Sequence, residues 1–193
     1  MTISNDSSSY TGEAMHAIND MVVLVNPRDQ ETGLMEKMEA HRKGALHRAF
    51  SFFIFNSKGE WLLQQRAHEK YHSGGLWTNA CCSHPRKGET AAMAATRRLQ
   101  EEMGFYCQAK PLFHFIYRSE FSNSLIEHEL DHVCVGYSDQ MPKINRNEVA
   151  GYRYISTQAL EFEMKAYPEH FTVWFRICYE QVKDKLAALQ QTA

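Results

Sequence analysis

Histidine, glutamate and cysteine fall in three short runs of this chain where their spacing could do chemistry. His41 and His47 bracket HRKGALH, His84 follows two cysteines in NACCSHP, and Glu127 and Glu129 flank His128 in EHELDH. Residues two apart on a strand project from one face, so Glu127 and Glu129 point together. Two carboxylates side by side repel unless a cation lies between them. Three imidazoles and two carboxylates suit a divalent ion such as Mn²⁺, Zn²⁺ or Mg²⁺. Taken singly, each histidine reads more simply as a surface or core residue, and spacing alone does not bring the three runs together.

The five cysteines are odd in number, contain no CxxC pair, and include the vicinal Cys81 and Cys82. That is no disulfide framework; reduced thiols, one of them reactive, fit better. In RRLQEEMGF, Arg97 and Glu101 are four apart, as are Arg98 and Glu102. Both pairs read first as helix-surface ion pairs worth a few tenths of a kcal/mol (~0.2–0.5). The functional alternative is a helical carboxylate holding Mg²⁺ beside an arginine that reaches a phosphate. Lys37, Arg66 and Lys70 are further cations, the last two in a loop running to Gly74 and Gly75, a common place for functional groups.

These residues need a scaffold. The 193 residues fit one domain with a single sizeable core, and 44% apolar with 23% charged residues are ordinary globular values. A formal net charge of −2 gives no reason to expect a nucleic-acid partner, so an anionic substrate must be held by placed cations or a metal. No run approaches the ~18 apolar residues of a membrane span, and no signal-peptide layout opens the chain, so the cytoplasm is the expected compartment. Residues 1–20 are polar and read as a mobile tail, leaving 21–193 as the domain. MVVLVN (21–26) predicts a strand closed by a turn over 27–33. AFSFFIF (49–55), apolar at nearly every position, predicts a central strand buried on both faces and joined to WLLQQ as a hairpin. A helix is predicted over 90–103, with Thr90 as its cap and Gly104 as its stop. Strands at 113–121, 126–137 and 149–155 and helices at 156–164 and 172–189 complete a mixed sheet flanked by helices.

Residues 83–105 resemble the Nudix box: Glu89, Arg97, Leu99, Glu101, Glu102, Gly104 and Phe105 fall in register. Ser83 stands where Gly is usual and Arg98 where the first Glu of an Arg-Glu pair is usual. Arg98 depletes the carboxylate cluster with which Nudix hydrolases bind several Mg²⁺ ions, which weakens a hydrolase reading. WTNACCSHP, supported by EKMEAH, LHRAFS, QRAHEK and EHEL in that order, is similar to type I isopentenyl-diphosphate isomerases. The resemblance implies an α+β fold, a Nudix-type mixed β-sheet between helices (an α/β/α sandwich) in a single domain. It implies conversion of isopentenyl to dimethylallyl diphosphate by protonation at C4 and deprotonation at C2, through a tertiary carbocation or something close to it at C3.

Carried over by position, the resemblance implies a Mn²⁺ or Zn²⁺ site at His41, His47, His84, Glu127 and Glu129. Mg²⁺ is implied at Glu102 and the backbone carbonyl of Cys82. Lys37, Arg66, Lys70 and Arg98 match the diphosphate-binding cations, and Cys82 the catalytic cysteine, with Cys81 a packing residue. Tyr117 matches an acid-site tyrosine beside Glu129, and Trp174 an aromatic facing the reacting carbons, where a ring face stabilises a desolvated cation by ~2 kcal/mol. A free thiol titrates near ~8.5, so Cys82 is expected to hold or accept a proton around neutrality. Sequence leaves open whether Cys82 or Glu129 protonates C4; the resemblance favours the Glu129 and Tyr117 side. The implied partner is a small-molecule diphosphate, with no nucleic acid and no membrane, and the protein a monomer or weak dimer.

Overall fold

The computed structural model describes residues 20–121 and 123–191. The expected tail over 1–20 lies, apart from Asp20, outside the described residues. β3 (His47–Phe55) is the axis of a nine-stranded mixed sheet. It pairs antiparallel with β4 (Trp61–Arg66) and β6 (Cys81–Ser83), touches β1 (Met21–Val25), and runs parallel to β8 (Ile126–Tyr137). β7 (Lys110–Glu120) lies against β8, β9 (Val149–Ile155) and β5 (Trp77–Thr78) against β4, and β2 (Glu31–Glu36) against β1.

The near-continuous apolar run of β3 is buried on both faces, as its composition requires. Phe50, Phe52 and Ile54 pack with Ala94, Ala95, Leu99 and Met103 of the helix α2 (Ala91–Met103). Phe53 and Phe55 face the other way, onto Trp174, Phe175, Tyr179 and Val182 of α4 (Val173–Gln191). Each such side chain contributes about 1.5–3 kcal/mol when fully buried, so both layers are fixed by one strand. Alternation also separates the vicinal cysteines. Cys81 is fully buried toward α2, while Cys82 packs on the α4 side.

α2 begins at Thr90, whose side chain accepts from the Met93 N–H, and ends at Gly104 with φ 72°. A Cβ there would lie 2.4 Å from the Lys143 carbonyl, so glycine is required both for φ and for space. α3 (Thr157–Ala166) completes the α4 layer. Two elements depart from expectation. The turn after β1 is shorter than 27–33, because the Asn26 side chain accepts the Arg28 and Gln30 N–H groups and edge strand β2 starts at Glu31. Lys37–Lys43 then forms a short helix, α1, capped by the Glu36 carboxylate and stopped by Gly44. No helix among the described residues is long and apolar enough to cross a membrane.

Candidate active site

Strand register assembles the first cluster. His47 of β3 is opposite Glu129 of β8, and Tyr117 of β7 is opposite Glu129 on its other side. α1 brings in His41 and the segment after β6 brings in His84. Nε2 atoms of His84, His47 and His41 lie 3.1, 3.4 and 3.8 Å from Glu129 Oε1. One ligand atom from each of these four residues falls within 4.8 Å of all the others. The other oxygen of Glu129 accepts the Tyr117 hydroxyl at 2.7 Å. The two carboxylate oxygens are thus divided between the imidazoles and a phenol.

The cluster fits a divalent cation. His47 Nδ1 lies 2.8 Å from the Ala45 carbonyl, which assigns the proton to Nδ1 and leaves a lone pair on Nε2. That Nε2 is 3.2 Å from His84 Nε2, and burial pushes His84 down to about 4, so a neutral imidazole faces it. Both ring nitrogens of buried His41 lack a hydrogen-bond partner. Burial alone would raise Glu129; the three imidazoles gathered on Oε1 outweigh it and hold the carboxyl well below the usual range. Imidazole nitrogens gathered around one carboxylate are a donor set that Mn²⁺ or Zn²⁺ would take. Glu127 stands beside this group and outside it: Oε2 meets the Tyr117 hydroxyl at 3.0 Å and Oε1 lies 3.0 Å from His72 Nε2.

Cys82, Tyr117, Glu127, Glu129 and Trp174 line one cavity of about 370 Å³. Burial pushes the Cys82 thiol up to about 12, against the pull of Arg66, whose Nη1 donates to Sγ at 3.9 Å. That shift favours the proton-holding SH form of Cys82 at neutral pH. The Arg66 guanidinium also lies 5.2 Å from the Trp174 ring centre, so part of that ring already faces a cation.

Lys37, Arg66, Lys70 and Arg98 line the same cavity. Nε of Arg66 and of Arg98 is buried without a partner, leaving donors free for an anion. Arg98 Nη2 donates to Glu102 at 2.6 Å, and Gln64 donates to the other Glu102 oxygen at 3.1 Å. Glu102 is buried on the otherwise apolar face of α2, which marks it apart from a surface pair. Arg97 is instead structural. It holds Glu89 by two bonds of 2.7 and 2.8 Å and reaches Glu101 at 3.3 Å. Every box carboxylate is therefore engaged by an arginine.

The structure adds residues that sequence reasoning passed over. His72, stacked on Phe121 at 4.6 Å, and Tyr71, under Lys37 at 5.3 Å, wall the metal side of the cavity. Asp131 lies two beyond Glu129 on the same strand face, and accepts from Ser51 Oγ at 2.8 Å. The period-two run Glu127, Glu129, Asp131 carried that signal; nothing in YHSGG marked His72.

Comparison with known proteins gives the family. The NUDIX domain model matches residues 45–175. The chain is 53% identical over 163 residues to an isopentenyl-diphosphate Delta-isomerase of Pectobacterium atrosepticum, covering 84% of this chain and 91% of that one. It is 46% identical over 165 residues to isopentenyl-diphosphate Delta-isomerase 2 of Aromatoleum aromaticum, covering 86% and 87%. Among solved structures, a protein of Deinococcus radiodurans shares the fold at TM-score 0.63 and 24% identity, over 76% of this chain and 90% of that one. A MutT protein of Methanosarcina mazei does so at 0.59 and 20%, over 72% and 94%. The chain belongs to the Nudix superfamily and, within it, to the isopentenyl-diphosphate Delta-isomerases.

Proposed function

We propose that this protein interconverts isopentenyl and dimethylallyl diphosphate, moving a double bond without releasing phosphate. The carrying observation is the division of Glu129, Oε1 among three imidazoles and Oε2 on Tyr117, in a cavity it shares with Cys82. A proton must be added at C4 and another removed from C2, which requires an acid and a base within hydrogen-bond reach of the substrate. Tyr117 and Glu129 form one proton-handling pair and Cys82 the other group. The hydroxyl of Tyr117 donates to Glu129, which orients the phenol; a proton delivered from the phenol is regained from solvent once product has left.

Arg66, Lys37, Lys70 and Arg98 take the diphosphate, which fixes C2 and C4 against the catalytic groups; binding energy away from the reacting carbons is thereby used for positioning. Trp174 and the aromatic wall limit water, which would otherwise capture positive charge at C3 as an alcohol. His41, His47, His84 and Glu129, with Glu127 adjacent, would hold Mn²⁺ or Zn²⁺, and Glu102 with the Cys82 carbonyl would hold Mg²⁺. Such ions supply fixed positive charge beside the carboxylate and the diphosphate. The same reading puts the protein in the cytoplasm as a monomer or weak dimer.

Pairing of Glu89, Glu101 and Glu102 with arginines supports isomerisation over diphosphate hydrolysis. Incubation with isopentenyl diphosphate and Mg²⁺ tests this by ¹H and ³¹P NMR. Terminal alkene signals should give way to two methyl signals with the diphosphate intact; appearance of free phosphate or pyrophosphate instead would overturn the proposal.

A further inference from the structure

Glu148 belongs to none of the groups above, yet it touches two of the four cations. Its carboxylate is paired with Lys70 Nζ in a close contact and lies 3.4 Å from Arg98 Nη2. All three side chains are only partly exposed, and all three line the cavity. Lys70 comes from the loop after β4 and Arg98 from α2, so neither element fixes the other.

The backbone around Glu148 joins them. The Ala67 N–H donates to the Glu148 carbonyl at 3.0 Å, and the Asn145 N–H donates to the Glu102 carbonyl at 2.8 Å. The turn at 145–148 is thus tied at one end to the Arg66–Lys70 loop and at the other to the last turn of α2. Like charges crowd this rim. Burial, with Lys70 and Arg98 adding repulsion, lowers the Lys37 pKa, and Glu148 opposes that shift.

We propose that Glu148 is a positioning residue for the diphosphate, holding Lys70 and Arg98 as a preformed pair from two separate elements. The inference rests on the reading that these cations bind the diphosphate. Glu148 needs no contact with the reacting carbons, so its effect falls on binding and not on the chemical step.

Inorganic pyrophosphate with excess Mg²⁺ is the probe, titrated calorimetrically into the full chain, with steady-state kinetics alongside. Glu148→Gln, similar in size, should weaken pyrophosphate about 10-fold and raise KM by a similar factor, with kcat within about twofold. Glu148→Asp keeps the charge at shorter reach and should recover part of the loss; it also serves as the second variant if the first folds poorly. Unchanged or tighter pyrophosphate binding in Glu148→Gln, or a fall in kcat at constant KM, would overturn the proposal. Lys70→Ala separates the two layers. If it binds pyrophosphate as well as the unmodified protein does, the cation reading fails and Glu148 with it. If Lys70→Ala weakens binding and Glu148→Gln does not, only the role given to Glu148 fails.

Discussion

Replacing Tyr117 by phenylalanine removes one oxygen from the site and leaves the ring stacked on Phe115, 5.7 Å between centres. The lost hydroxyl bonds Glu129 at 2.7 Å and meets Glu127 at 3.0 Å, in a buried place where water does not substitute freely. A hydrogen bond to a charged group is worth about 1.5–3 kcal/mol, so loss of positioning alone costs roughly 10- to 150-fold. A side chain that transfers a proton in the transition state contributes about 10²–10⁴. Tyr117→Phe should therefore lower kcat by at least about 100-fold. KM should stay within about twofold, because the hydroxyl bonds the two glutamates and not the diphosphate cations. Turnover followed by ¹H NMR, with thermal unfolding as the fold control, measures both. A kcat loss below about fivefold would refute the assignment of Tyr117 to proton handling.

Four further substitutions probe separate parts of the protein. Cys82→Ala should abolish nearly all turnover in a folded protein, whereas Cys81→Ala, buried on the opposite side of the sheet, should keep most of it in the same kinetic assay. His41→Ala should weaken Mn²⁺ or Zn²⁺ by more than about 100-fold in competition with a chelator, since even outer-shell losses cost about 10–100-fold. Glu89→Gln should destabilise the fold by about 1–2 kcal/mol at neutral pH by loss of its Arg97 bonds, roughly 2–8 °C in Tm. Burial would raise Glu89, but Arg97 and the Arg86 N–H outweigh it and lower its pKa. Its contribution is thus present above the unfolded carboxylate value of ~4.3 and lost as pH falls through the lower folded value. Melting curves of variant and parent should converge in acid; a gap that persists there would contradict the pairing.

The parts of the site that were legible in sequence are those set by short periodicities. Glu127 and Glu129 share a face because strand side chains alternate, and Cys81 and Cys82 part for the same reason. The box helix was legible from Thr90, its alanines and Gly104, each with a local mechanism. What composition could not give is register between distant strands. Only the parallel pairing of β3 with β8 places His47 beside Glu129, and only the β7–β8 register adds Tyr117. β2 and α1 were passed over because ETGLMEKM has neither strand alternation nor a helical stripe; an exposed edge pairing and the Glu36 cap form them instead. The Cys82 thiol value depended on burial, which no spacing encodes. His72 and Glu148 are defined by contacts between segments distant in sequence.

Isopentenyl diphosphate with Mg²⁺ in deuterated water tests the central claim most directly. Proton delivery to C4 from a solvent-exchangeable group predicts dimethylallyl diphosphate carrying deuterium in a methyl group, with the diphosphate intact. Dimethylallyl diphosphate free of solvent deuterium in its methyl groups, or released phosphate without isomer, would contradict it.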